Sequence, residues 1–240
     1  HFRFYDEFWK TDGAVTMNGN FWNFDRAWLG ASRQHRPKMW ALGGGPKLVD
    51  LATRYADGFA TMVPSVFPTP ERFADFVRET CKAVAGRGRD PERFDFCTWF
   101  WVVIHDDPAF IERAFQNPLL RWMAAIFGRF NNHDWAEDRV EPAFDPEWHY
   151  AMHLVPNRFD NQGEVDRILS RVTDRMCKLS VLYGNAREVA AQMQPYVDAG
   201  ANAIEFIDLT PLVLDADGLP GALARQLEVC ARIKEMNTRG

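Results

Sequence analysis

Apolar positions along this 240-residue chain follow two spacings in turn. Short continuous apolar runs suit buried parallel strands, and the stretches after them carry apolar residues three and four apart, as amphipathic helices do. Residues 38–42 form one such run, and Gly43-Gly44-Gly45 breaks it. Pro46 then suits the first turn of a helix, where a missing N–H costs nothing, and Leu48, Leu51, Ala52 and Tyr55 fall on one face. Asp57-Gly58 ends that helix and residues 59–63 read as the next strand. Thr69 is the predicted N-cap of a helix that turns Phe73, Phe76, Val77 and Cys81 inward. The run 94–104 is the strongest strand, and Asp106-Asp107-Pro108 caps the helix after it. Helical spacing returns at Glu164 and again over 186–199, where Gly200 stops it. A last short strand at 203–207 precedes a closing helix near 221–234. Strands alternating with helices predict βαβ units and a parallel sheet, an α/β fold.

Two regions depart from that rhythm. Residues 1–10 space Phe4, Tyr5 and Phe8 as a helix would, and 14–22 hold two β-prone runs around Asn18-Gly19, the pair suited to a type I′ hairpin turn. Residues 128–160, rich in Asn, Asp, Pro, Trp and His, read as a long insertion of loops and short helices.

Composition narrows the classes of function. Hydrophobic residues at 47% and charged residues at 25% describe a globular chain with enough apolar side chain for a sizeable core. With 28 Lys+Arg against 33 Asp+Glu the net charge is −5, which argues against a nucleic-acid partner held by bulk positive charge. The longest apolar run, 96–104, is far short of the about 20 residues of a membrane helix, so no membrane span is expected. Cys81, Cys97, Cys177 and Cys230 lie far apart with no CxxC spacing. Neither a zinc site nor a disulfide framework is indicated, and a reducing, cytoplasmic setting is expected.

The order of the pieces resembles a known family. Residues 39–52 with their Gly-Gly-Gly-Pro turn, followed by Tyr55-Ala-Asp-Gly58, resemble the luciferase-like flavin and deazaflavin oxidoreductases. Gly88-Arg-Asp-Pro91 before a strand, residues 183–190 with Gly184 and Glu188-Val189, and Tyr196-Val-Asp-Ala-Gly200 before a final strand agree in the same order. The resemblance implies a (β/α)₈ TIM barrel of luciferase-like type, with 38–42, 59–63, 94–104 and 203–207 as its last four strands. It makes residues 1–240 the C-terminal part of a single barrel domain, with insertions near 1–37 and 128–160, in a longer protein.

The aromatic pair Phe21-Trp22, the Gly-Gly-Gly-Pro turn and Leu154-Val-Pro156 look most like the deazaflavin branch and its ketoreductases of lipid-like substrates. The implied cofactor is coenzyme F420, with FMN as the alternative, and the implied substrate a small apolar carbonyl compound. Met62 and Ser65 stand where sugar-phosphate enzymes of that branch carry binding residues of other types, which argues against a sugar phosphate. An FMN-dependent monooxygenase is the rival within the family, and a non-catalytic, cofactor-binding relative is the rival outside enzymes. A homodimer is compatible with either.

A glycine turn between a strand and a helix brings free N–H groups and the positive end of a helix dipole together. By the resemblance, Gly43, Gly44, Gly45, Lys47 and Leu48 contact the cofactor. His105, at a strand's C-terminal end, has a plainer reading as part of a helix cap. His149 and His153, four apart beside Trp148, lack a third ligand, so no metal is expected. Arg87 and Arg89 read as a basic surface loop, and Trp99 and Trp101 as core aromatics on one face of a strand. Phe21, Trp22, Trp135, Trp148 and Tyr150 read as aromatics of insertions that roof the barrel mouth. No catalytic residue is assigned.

Overall fold

The computed structural model describes residues 1–28, 36–145, 147–148 and 162–238. These form two compact units: His1–Ala60 with Arg78–Phe96, and Thr61–Val77 with the residues from Cys97 onward.

In the first unit, helix α1 (Phe2–Lys10) leads to an antiparallel hairpin of β1 (Val15–Asn18) and β2 (Asn23–Ala27). The hairpin differs from the expected two-residue turn. Asn18 pairs with Asn23, so the loop is Gly19 to Trp22, closed by the Gly19 N–H donating to the Trp22 carbonyl at 3.0 Å. Neither Asn18 nor Gly19 has the positive φ that a type I′ turn demands. Phe24 fixes the register: its ring stacks on Phe4 of α1 at 3.8 Å, and Phe21 and Trp22 are left at the exposed tip.

Strand β3 (Trp40–Leu42) lies parallel to β4 (Gly58–Met62), with Ala41 opposite Phe59, and helix α2 (Pro46–Tyr55) crosses between them. The buried residues of α2 are Ala52 and Thr53, whereas Leu51 is exposed. Of the predicted face Ala52 is buried and Leu48 and Tyr55 are half-buried, and two arginines dock on the side of Thr53 and on the helix end. Arg87 bonds the Thr53 hydroxyl at 2.9 Å and Asp50, and Arg89 donates to the carbonyls of Thr53 at 2.8 Å and Ala56 at 2.5 Å. The loop that reads as basic surface is therefore a C-terminal clamp on α2.

Helix α3 (Pro70–Ala85) and strand β5 (Asp95–Ile104) have residues in both units. The Thr69 hydroxyl caps α3 by accepting from the Arg72 N–H at 3.3 Å, as expected. In the second unit β5 pairs in parallel with β6 (Leu182–Gly184) and, along 97–102, with β7 (Ala203–Asp208). Between β5 and β6 stand α4 (Pro108–Ala114), α5 (Pro118–Phe127), α6 (Asp134–Glu137), α7 (Gln162–Arg171) and α8 (Asp174–Ser180). Helix α9 (Ala186–Asp198) starts on a capping box in which Asn185 and Glu188 bond each other's backbone N–H groups. After β7 come α10 (Thr210–Val213), α11 (Asp215–Gly218) and α12 (Ala222–Asn237), the last packed along α9.

The core of this unit gathers Val103, Phe115, Leu120, Ile126, Trp135 and Met176. Trp135 is fully buried beneath the Arg129 guanidinium, 4.8 Å from its ring centre, so it belongs to the core and not to an exposed roof. Trp148 stacks on Phe144 at 3.9 Å. His149, Tyr150, His153 and 154–156 lie outside the described residues.

Candidate functional site

The turn at 43–45 is built by the residues on either side of it. The Gly43 N–H donates to the Ala60 carbonyl at 3.1 Å and so extends the β3–β4 ladder by one bond. Gly43 holds φ +144°, a backbone conformation essentially open only to glycine, and a Cβ there would stand 2.9 Å from Leu48 Cδ2. Gly45 is the N-cap of α2, at φ −76° and ψ 147°, with nothing within 4 Å of where a Cβ would be. Its carbonyl accepts from the N–H groups of Leu48 at 3.0 Å and Val49 at 3.1 Å.

These bonds decide which donors the turn has left. Pro46 has no N–H, and those of Leu48 and Val49 are spent on Gly45. The N–H groups of Gly44, Gly45 and Lys47 have no partner among the described residues. Residues 44–47 are exposed, and the first turn of α2 carries no acidic side chain to offset the positive end of its dipole. Three free donors, that of the N-cap Gly45 among them, and a lysine therefore lie within four residues where parallel strand β3 passes into α2, a setting suited to an anion or the polar edge of a planar ring. The half-buried Leu48 contributes its side chain under the turn. These features fit the phosphate or ring edge of a flavin-type cofactor.

The other sequence candidates divide plainly. His105 follows β5, but its Nδ1 accepts from the Asp107 N–H at 3.0 Å and its ring stacks on Phe110 at 4.1 Å, so it serves the cap of α4. Ser65 is fully buried with its hydroxyl unpartnered among the described residues, and Met62 is half-buried. Trp101 packs against Phe127 and the core. Among the described residues no group of His, Cys, Asp and Glu could hold a metal ion, and no helix is long and apolar enough to cross a membrane.

Comparison with known proteins bears on this geometry. A phthiodiolone/phenolphthiodiolone dimycocerosates ketoreductase of Mycobacterium tuberculosis is 22% identical over 173 residues, 72% of this chain and 43% of that protein. An F420-dependent secondary alcohol dehydrogenase, solved with an F420-acetone adduct, superposes with a TM-score of 0.63 at 19% identity, covering 94% of this chain and 58% of the other. A riboflavin lyase solved with modified FMN and riboflavin gives a TM-score of 0.55 at 14% identity, over 93% of this chain and 48% of the other. The chain thus spans less than half the length of the curated relative it matches. The likeness shows the α/β fold of the luciferase-like barrel. The family model described as luciferase-like monooxygenase matches residues 2–203, and the chain belongs to that family.

Proposed function

We propose that the protein containing this chain is an oxidoreductase that uses coenzyme F420 to interconvert a carbonyl and an alcohol on a fairly apolar small molecule. The observation that carries the reading is the set of free N–H groups on Gly44, Gly45 and Lys47 at the start of α2. The ketoreductase relative and the F420-dependent alcohol dehydrogenase support the choice of chemistry. Gly44, Gly45 and Lys47 would hold the cofactor by their backbone donors, the Lys47 ammonium would add charge, and Leu48 would keep the turn in shape. Bound there, F420 supplies or accepts the hydride. The chain's own residues bind and orient.

The neighbour solved with modified FMN supports a second reading, because the same donors suit FMN. Titrating the full-length protein with F420 and with FMN separates the two. Saturable binding of F420 and carbonyl-dependent oxidation of its reduced form are expected. Tight FMN binding without F420 binding, with oxygen consumed on adding reduced FMN, would establish the monooxygenase reading instead. Saturable cofactor binding with neither reaction would favour the non-catalytic relative.

A further inference from the structure

We propose a second small-molecule site in this chain, an oxyanion site on a groove lined by Arg139, Glu141, Pro142, Arg171, Thr173 and Arg175 with a volume of about 380 Å³. All of these residues lie in the second unit, and none belongs to the glycine turn.

The argument rests on how little of the positive charge is answered. Arg139 makes no side-chain hydrogen bond, ion pair or ring contact among the described residues. Arg175 donates through Nη2 to the Asp138 backbone carbonyl at 2.7 Å, a bond that orients the guanidinium without neutralising it. The nearby Asp138 carboxylate is engaged by Arg129 at 2.7 Å. Arg171 alone has carboxylate partners, Glu141 at 3.2 Å and Asp145 at 3.7 Å, and both are largely exposed. Three arginines and one glutamate thus line the groove, on a chain whose net charge is −5. Like charges brought together without counter-charges raise the local potential and concentrate anions.

The side chains also define the ligand. Arginine forks match the paired oxygens of carboxylate and phosphate and bind them bidentately. The groove volume is in the range of small-molecule sites. The ligand class is a multiply charged oxyanion small molecule, and a phosphate ester and a polycarboxylate share that chemistry.

Calorimetric titration of the full-length protein with pyrophosphate and with citrate, at constant ionic strength held by sodium chloride, tests the site. Saturable binding is expected, weakened at least fivefold by Arg139→Asn and by Arg175→Gln, and unchanged by Arg232→Gln on α12. Asparagine tolerates the left-handed backbone at residue 139, φ +56°, so the first variant keeps its melting temperature. Tighter pyrophosphate binding assigns a phosphate ester, tighter citrate binding a polycarboxylate, and equal binding the shared oxyanion chemistry. Absence of saturable binding for both probes, or equal binding by wild type and the Arg139 and Arg175 variants, overturns the proposal. Failure of F420 to bind leaves this result unaffected, since the two sites share no residue.

Discussion

Leu48 Cδ2 occupies the space that a Cβ on Gly43 would need, at 2.9 Å, while Gly43 itself holds φ +144°. Steric and backbone demands therefore coincide at one residue, and only two positions on they vanish, since Gly45 has ordinary angles and open space. Gly43→Ala is expected to destabilise by about 1–3 kcal/mol, the usual cost of a side chain in a glycine-only region. Adding Leu48→Ala removes the clash but not the φ strain. Chemical denaturation of both single variants and the double variant should show a coupling of about 0.5 kcal/mol or more, and strict additivity would mean that the contact does not matter.

Gly45→Ala separates binding from folding. Its stability should stay within about 0.5 kcal/mol of wild type, because alanine fits φ −76° and meets no atom. The new methyl group would stand beside the free N–H groups, so the dissociation constant for the cofactor should rise about tenfold, or about 1.4 kcal/mol. Fluorescence titration alongside a thermal melt reads both quantities. A variant that melts normally and binds normally would remove the turn from the cofactor site.

Arg89 supplies the third test. Its guanidinium meets the carbonyls of Thr53 and Ala56 at the C-terminal end of α2, where no further turn of helix can pair them. Arg89→Ala should cost about 1–3 kcal/mol by denaturation, as expected when carbonyls lose a charged donor. Arg89→Lys should recover only part, because an ammonium lacks the fork that reaches two carbonyls together. Full recovery would show that charge, not geometry, is what α2 needs.

Local chemistry made the glycine turn, the Thr69 cap and the alternation of strands and helices legible from residues alone. Pro46 after three glycines and Thr69 before α3 act within one turn of chain, and both stand at helix starts as the pattern predicts. What could not be read depends on distant partners. Thr53 is buried and Leu51 exposed, and the bonds of Arg87 and Arg89, more than thirty residues away, to the Thr53 hydroxyl and carbonyl have no local spacing signal. The hairpin register follows Phe24 stacking on Phe4, not the Asn-Gly pair. Irregular sequence around Trp135 reads as an insertion roofing the barrel mouth, yet Arg129 and the helices before β6 bury it. The groove of Arg139, Arg171 and Arg175 joins the loop after α6 to the end of α7 and the start of α8, some thirty residues on, and left no spacing signal.

Cys177 makes stability depend on alkaline pH. Burial pushes its thiol up to about 11 from an ordinary 9.0, with Asp174 adding to the rise and Arg121 opposing it. The unfolded chain releases this proton near pH 9 while the native state keeps it to about 11, so unfolding is favoured progressively as pH rises through that window. The full effect is about 3 kcal/mol at most. Melting temperature should fall more between pH 8 and pH 10.5 in wild type than in Cys177→Ala, and equal slopes would contradict the buried thiol.

Helix α12 presents Leu223 and Leu227 one turn apart, with exposures of 68% and 62%. Spacing of four places these two on one helix face, and Leu219 and Leu212, nearby in sequence, are 63% and 58% exposed. Exposed apolar side chains gathered on one helix face favour association. The isolated 240-residue chain is therefore expected to elute from size-exclusion chromatography with light scattering as a dimer or larger species. Replacing Leu223 and Leu227 by Lys should shift it toward the monomer mass without lowering its melting temperature, because neither side chain is buried in the fold. A monodisperse monomer before any substitution would show that these leucines tolerate water by themselves.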